Sequence, residues 1–367
     1  MRGRTNTNQE DDELKTEMDL SGREPWTRKP RGLPPNAMLE QTVPTLQRLY
    51  HPMGEPLLFQ TNEPVLLDAA DEAFSRFPLP SRGDQTPPLV LRLFVHGTGA
   101  EPPEEPDRAA LRPVYRTQGH LFYVSLDGWN TAVADLVAGY AFGFVSPEVA
   151  RDGALVRFVF VECLALAMLV TTRCFIPLHA ACVVKDGIGV ALLGEAGSGK
   201  STLTYACVRR GYQVLAEDGL MVKCGDADLR FWGMPWTLHL LPDSVRFFPE
   251  LADEQPRLQI NGEWKLEVSP ERYYAGSTAV CASLGPVLFL ERGTSEGTSK
   301  LEVVPHAEAL AQVEIVWPYW VGWDEQMEAR VPELLEKGVY RLRVNGTPDQ
   351  AVDVLDRLLL DSGWQTA

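Results

Sequence analysis

The chain has 367 residues, 45% of them hydrophobic and 23% charged, so it is long enough to bury a full core and is expected to form two packed parts. Its formal net charge of −16 excludes an extended nucleic-acid contact surface, because binding to a phosphate backbone depends on concentrated lysine and arginine. An acidic chain can still bind a magnesium nucleotide, since local donors and the metal offset the charge of the ligand.

The first 40 residues mix charges of both signs with proline, glycine and asparagine and have no apolar period, which predicts a disordered tail over 1–40. The N-terminus lacks the apolar segment of a secretory signal, so a cytoplasmic location is expected. The most apolar stretch, ALVRFVFVECLALAMLV at 154–170, contains Arg157 and Glu162 and is short for a bilayer. It predicts a buried helix that begins near Ser146, and no membrane partner is expected.

Residues 41–145 predict a small N-terminal α+β domain. LVLRLFVHG (89–97) and HLFYVSL (120–126) have the pattern of strands, EPPEEPD (101–107) that of a loop, and TAVADLVAGYAFGF (131–144) that of a helix. No recognisable chemistry lies in this part, so recognition of an acceptor molecule is its expected role.

From residue 146 to 367 the pattern predicts one α/β domain with mixed sheets. LHAACVV (178–184) and IGVALLG (188–194) flank the turn KDG and predict a hairpin, and STLTYACVRRG (201–211) predicts a helix capped by Gly211. YQVLAED (212–218) predicts a strand that ends in Glu217 and Asp218. GLMVKC and LRFWGMP (219–235) predict a second hairpin, and VYRLRVNG and PDQAVDVLDRLLLDSG (339–363) a last strand and helix.

A phosphate-binding loop is predicted between the first hairpin and its helix. The run GEAGSGKS matches G-x-x-x-x-G-K-[ST] without a mismatch, and glycines there let backbone N–H groups converge on phosphate oxygens. Lys200 would reach the β- and γ-phosphates, and Ser201 would place its hydroxyl on Mg²⁺. The alternative is a structural glycine-rich turn. The predicted nucleotide-binding residues are Gly194, Glu195, Ala196, Gly197, Ser198, Gly199, Lys200, Ser201 and Thr202.

Phosphoryl transfer also needs a carboxylate at the end of a neighbouring strand. Glu217 and Asp218 end an apolar strand and meet this need, although Asp-Gly is also a common turn pair. The combination with the loop favours a metal and catalytic role for both acids.

The segment PLHAACVV–KDG–IGVALLGEAGSGKSTL–RRGYQVLAED resembles the HPr kinase/phosphorylase family and its wider group of related proteins. The resemblance implies a P-loop within a phosphoenolpyruvate-carboxykinase-like fold, with ATP and Mg²⁺ as cofactors and a homo-oligomer as a possible assembly. It also implies that Glu217 takes the proton of the acceptor hydroxyl, that Asp218 binds Mg²⁺, and that His179 neighbours and tunes the carboxylate. That family's Glu-Ile-Arg segment is absent here, and LRFWGMPWTL stands at 229–238 instead.

The resulting hypothesis is an ATP-dependent kinase whose acceptor is a serine-type hydroxyl of a protein or peptide. The alternatives are a kinase of a small hydroxyl compound and a nucleotide-binding regulatory NTPase. Lys265 and Arg272, in a segment with the pattern of a loop, are candidates for neutralising the transferred phosphoryl group, or else solvated surface charges. WPYWVGW (317–323) is either a binding surface or a corner of the core.

Overall fold

The computed structural model describes residues 42–79, 86–96, 111–126, 129–223, 229–259, 261–294, 296–313 and 325–361. The predicted tail at 1–40, the loop at 101–107 and the aromatic segment at 317–323 therefore lie outside the described residues. Gln41–Ala367 is one compact unit. Its architecture is mixed α/β with several mixed sheets, as the sequence predicts.

The first sheet has seven strands in the order β1-β2-β3-β7-β6-β5-β4. Its strands are β1 Leu46–Tyr50, β2 Leu57–Thr61, β3 Leu89–Val95, β4 Val114–Gln118, β5 Leu121–Ser125, β6 Thr131–Asp135 and β7 Tyr140–Val145, with helix α1 Pro64–Phe74 between β2 and β3. The predicted strands at 89–97 and 120–126 are confirmed. The sheet ends with β7 at Val145, and the domain boundary predicted there stays a prediction.

The helix predicted over 131–144 is wrong, because these residues form the antiparallel pair β6–β7. Their buried residues alternate along each strand, as Ala132 and Ala134 show, and Gly139 turns the chain with a φ of 66°. The small residues that suggest a helix instead allow close contact: a Cβ on Gly143 would lie 2.4 Å from the Cβ of Ala132.

The apolar run that follows is a broken helix. It comprises α2 Pro147–Arg151, α3 Gly153–Val156, a π-helical turn Arg157–Glu162 and α4 Cys163–Arg173, so the predicted buried helix is confirmed. Among the described residues, the run Gly153–Arg173 alone has the length and composition to cross a membrane, and 67% of its most apolar window is buried inside the protein. A buried core helix meets the same criterion.

The second sheet carries the phosphate loop and has nine strands. Its central path is β11-β9-β10-β17-β13-β12-β8, and β18 and β19 extend it from β17. These strands are β8 Phe175–Leu178, β9 Ala180–Lys185, β10 Ile188–Leu193, β11 Gln213–Ala216, β12 Leu220–Lys223, β13 Arg230–Trp232, β17 Cys281–Arg292, β18 Lys300–Val303 and β19 Val339–Val344. Both predicted hairpins, β9–β10 and β12–β13, are antiparallel pairs.

The remaining elements pack around this sheet. A small sheet contains β14 Leu238–Leu240, β15 Arg257–Leu258 and β16 Trp264–Val268, and the helices are α5 Lys200–Arg209, α6 Pro270–Tyr273, α7 His306–Gln312, α8 Glu325–Leu334 and α9 Pro348–Asp361. One core joins the seven-stranded sheet, α1 to α4 and one face of the nine-stranded sheet. A second core on the other face of that sheet includes α5, α9, β14 and β16.

Candidate phosphoryl-transfer site

Strand directions bring the predicted site residues to one edge of the nine-stranded sheet. β9 lies between β10 and β11 and is antiparallel to both. The carboxyl ends of β10 and β11 therefore meet the amino end of β9 at the same edge. Gly194 follows β10, Glu217 follows β11 and His179 precedes β9, so three segments that are separate in sequence converge there.

The glycine-rich loop has the strand–loop–helix context that the motif requires. Gly197 and Gly199 have φ values of 80° and 101°, a conformation that favours glycine. Helix α5 begins directly after the loop, so its N-terminal N–H groups face the loop opening and favour an anion there. The buried Ser198 hydroxyl has no hydrogen-bond partner among the described residues, which suits a loop that binds a polar ligand.

The Lys200 side chain folds back across the loop. Only 8% of the residue is exposed, and its Nζ donates to the carbonyl oxygens of Gly194 and Glu195. Nζ also lies 3.4 Å from His179 Nε2. The ammonium group is thus held at the mouth of the loop, within reach of a phosphate bound there.

His179 connects Lys200 to the second acid of the pair. Its Nδ1 lies 3.2 Å from Asp218 Oδ1, and the Asp218 side chain is 61% exposed. Because Lys200 can only donate, Nε2 of His179 accepts and Nδ1 carries the hydrogen toward Asp218. His179 is therefore part of a polar chain rather than a packed core residue, and it leaves Asp218 open to solvent.

Glu217 occupies a different environment from Asp218. Its side chain is 17% exposed, and its Oε1 lies 3.4 Å from the hydroxyl of Ser201. A hydroxyl and a carboxylate are oxygen ligands of the kind that Mg²⁺ takes, usually with few protein groups and the phosphates of its substrate. No cluster of three or more His, Cys, Asp or Glu side chains able to hold a metal occurs in the described parts of the chain. Ser201 and Glu217 still fit a magnesium ion bound together with a nucleotide.

His239 is a site residue that the sequence analysis missed. Its backbone N–H donates to Glu217 Oε1 at 2.5 Å, and its Nδ1 lies 2.6 Å from Oε2. Burial lowers the pKa of His239, but the hydrogen bond and negative charge of Glu217 outweigh burial and raise it overall. The sequence signal for this residue is the histidine directly after LRFWGMPWTL, and in the structure it is the middle residue of β14.

Lys265 lies on strand β16, not on a loop as predicted. Its Nζ pairs with Glu263 at 3.0 Å, and its charge acts on Asp218 and His239, so it borders the site. Arg272 is on the short helix α6, pairs with Glu254, and its side chain is 70% exposed. Lys265 is thus the better placed of the two predicted cations.

The similarity of the chain to known proteins is too weak to assign a family. No family model and no curated protein matches the chain. Among solved structures, the Hpr(Ser) kinase/phosphatase from Coxiella burnetii matches with a TM-score of 0.29 and 13% identity, over 51% of this chain and 90% of that one. Similarity at this level assigns no activity, so the function must be argued from the residues of the site.

Proposed function

We propose that the protein is an ATP- and Mg²⁺-dependent kinase that transfers the γ-phosphoryl group to a serine-type hydroxyl of a protein or peptide. The observation that carries this proposal is the convergence of the loop lysine, Ser201, both acids and His179 at one sheet edge. Phosphoryl transfer needs these groups and little else, because its catalysis consists mainly of positioning and charge stabilisation.

The distances favour roles for the two acids that are the reverse of those predicted from the sequence, where Glu217 is the base and Asp218 binds Mg²⁺. Glu217, beside Ser201, is suited to hold Mg²⁺, which would neutralise charge on the phosphates. Both of its oxygens already accept hydrogen bonds from His239, and it is largely buried. Asp218 is exposed and oriented by His179, as a base that receives an acceptor from solvent must be.

In the proposed reaction, the acceptor oxygen attacks the γ-phosphorus in line and the bond from that phosphorus to the β–γ bridging oxygen breaks. Asp218 takes the hydroxyl proton and ADP leaves. Lys200 exchanges its contacts with loop carbonyls for the phosphates, and Lys265 adds positive charge nearby. The protein would act in the cytoplasm, where ATP is available, on an acceptor that is neither nucleic acid nor membrane.

Incubation with γ-³²P-ATP separates this proposal from the two alternatives. The purified chain is assayed alone, with a peptide library containing serine, with the same library carrying alanine in place of serine, and with a set of small polyols. The proposal predicts label in the serine library alone. Label in the polyols would indicate a kinase of small compounds, and release of inorganic phosphate independent of acceptor would indicate a regulatory NTPase.

A further inference from the structure

We propose that His239 is a positioning residue that fixes the Glu217 carboxylate on the Ser201 side of the site. This inference rests on the proposed function. It adds His239, a residue that the proposed transfer reaction does not itself use. His239 acts through Glu217 and, within the described parts of the chain, makes no hydrogen bond to the phosphate loop.

A single residue engages both oxygens of the carboxylate. The backbone N–H of His239 donates to Oε1, and the ring nitrogen Nδ1 pairs with Oε2 at 2.6 Å. Two hydrogen bonds from one rigid residue prevent rotation of the carboxylate plane. Oε1, the oxygen that also faces the Ser201 hydroxyl at 3.4 Å, is thereby held toward the metal position.

The fold holds His239 in turn. Its neighbours Leu238 and Leu240 are buried at 0% and 1% exposure, and β14 pairs with β16 so that His239 lies opposite Glu267. Three residues upstream, Trp236 packs edge-on against Phe77, with ring centroids 6.2 Å apart. The backbone N–H that meets Glu217 is therefore fixed by packing on both sides of the residue.

The chemistry of metal ligands explains why such a contact would matter. Groups that hydrogen-bond a ligand orient it and tune its basicity, and their loss typically costs about 10- to 100-fold in metal affinity or activity. A carboxylate that loses the ring contact keeps its charge and the hydrogen bond from the backbone N–H, but its plane is free to rotate about that bond. The expected defect is therefore in metal binding and not in binding of the nucleotide itself.

Three substitutions at one position test the inference. Asparagine in His239→Asn places its amide nitrogen near the position of Nδ1, glutamine in His239→Gln places it near Nε2, and His239→Ala removes the ring donor while leaving the backbone N–H in place. His120→Ala, which changes a 56% exposed histidine in the turn between β4 and β5, is the matched control. Binding of Mn²⁺ is measured by electron paramagnetic resonance with a non-hydrolysable ATP analogue, beside analogue affinity without metal and the Mg²⁺ concentration that gives half-maximal transfer.

The inference predicts that His239→Ala and His239→Gln weaken Mn²⁺ binding about 10- to 100-fold, while His239→Asn and His120→Ala stay within about threefold of wild type. Metal-free affinity for the analogue is unchanged in all four. Wild-type Mn²⁺ affinity in the alanine variant, or an asparagine variant as weak as alanine, overturns the inference. If alanine unfolds the chain, the contrast between asparagine and glutamine decides. Failure of the wild type to bind the analogue, or normal metal binding without transfer, would instead refute the proposed function.

Discussion

Gly233 is the position where a single methyl group tests the geometry of the site most severely. A Cβ there would lie 2.0 Å from the carbonyl oxygen of Leu215 and 2.8 Å from its carbonyl carbon, whereas ordinary contact begins at 3.4 Å. Leu215 lies on β11, two residues before Glu217. Gly233→Ala must therefore separate the segment that leads to His239 from the strand that ends in Glu217.

The free-energy cost of Gly233→Ala follows from the size of this steric overlap. Overpacking of a filled site costs about 1–3 kcal/mol, which in a chain of this length lowers the melting temperature by a few degrees. A displacement of about 1 Å at reacting groups can reduce a rate about 100-fold. We expect Gly233→Ala to lose more transfer activity than stability, as measured by calorimetry and by label transfer from ATP.

Gly219 offers a matched control, because it directly follows Asp218 and a Cβ there would meet no atom within 4 Å. Gly219→Ala should keep the melting temperature and the transfer rate of wild type. Wild-type behaviour of Gly233→Ala in both assays would refute the close approach of these two segments and the argument built on it.

Three further substitutions test separate features. Lys200→Met removes a charged donor, worth about 1.5–3 kcal/mol, and should weaken ATP binding by calorimetric titration at least about tenfold; unchanged affinity would contradict the loop assignment. Burial raises the pKa of Glu162 to about 7, so the folded state keeps a proton that the unfolded chain loses, and stability falls as pH rises from about 4.3 to 7. Glu162→Gln should abolish that pH dependence in urea unfolding, a change of up to about 4 kcal/mol, and a pH dependence that persists would assign it to another group. Glu55 lies buried between Arg173 and Lys223, at 2.9 and 2.8 Å, so Glu55→Gln should cost about 3–5 kcal/mol in urea unfolding, and a loss below about 1 kcal/mol would contradict a stabilising role.

The parts of the site that follow from local sequence could be predicted. The hairpin β9–β10 is encoded by two apolar runs around a turn in which Asp186 and Gly187 both have positive φ, as such tight hairpins require. The loop and helix α5 are contiguous with it. Most of the phosphate site therefore lies in one segment of about forty residues. This segment can be recognised from local sequence without knowing any distant contact.

The pairing of Glu217 with His239 could not be predicted in the same way. These residues are 22 positions apart, and they meet because Gly233 lets the chain pass close to β11, a contact with no local signature. Strand β16, which carries Lys265, pairs with β14 and β15, and its sequence WKLEV alternates apolar and polar residues, so the loop prediction overlooked a local strand signal. The hairpin β6–β7 was missed because its alanines also favour helices, although Gly139 and Gly143 do not.

The central claim, transfer to a hydroxyl with Asp218 as base, is tested most directly by a single-turnover experiment. A complex of the chain with Mg²⁺ and γ-³²P-ATP is mixed with the serine peptide library and excess unlabelled ATP, and label is counted as phosphoserine and as inorganic phosphate. We expect label in phosphoserine with the wild type. We expect the Asp218→Asn variant to bind ATP normally and to transfer no label to serine. Label only in inorganic phosphate, or transfer by Asp218→Asn at the wild-type rate, would contradict it.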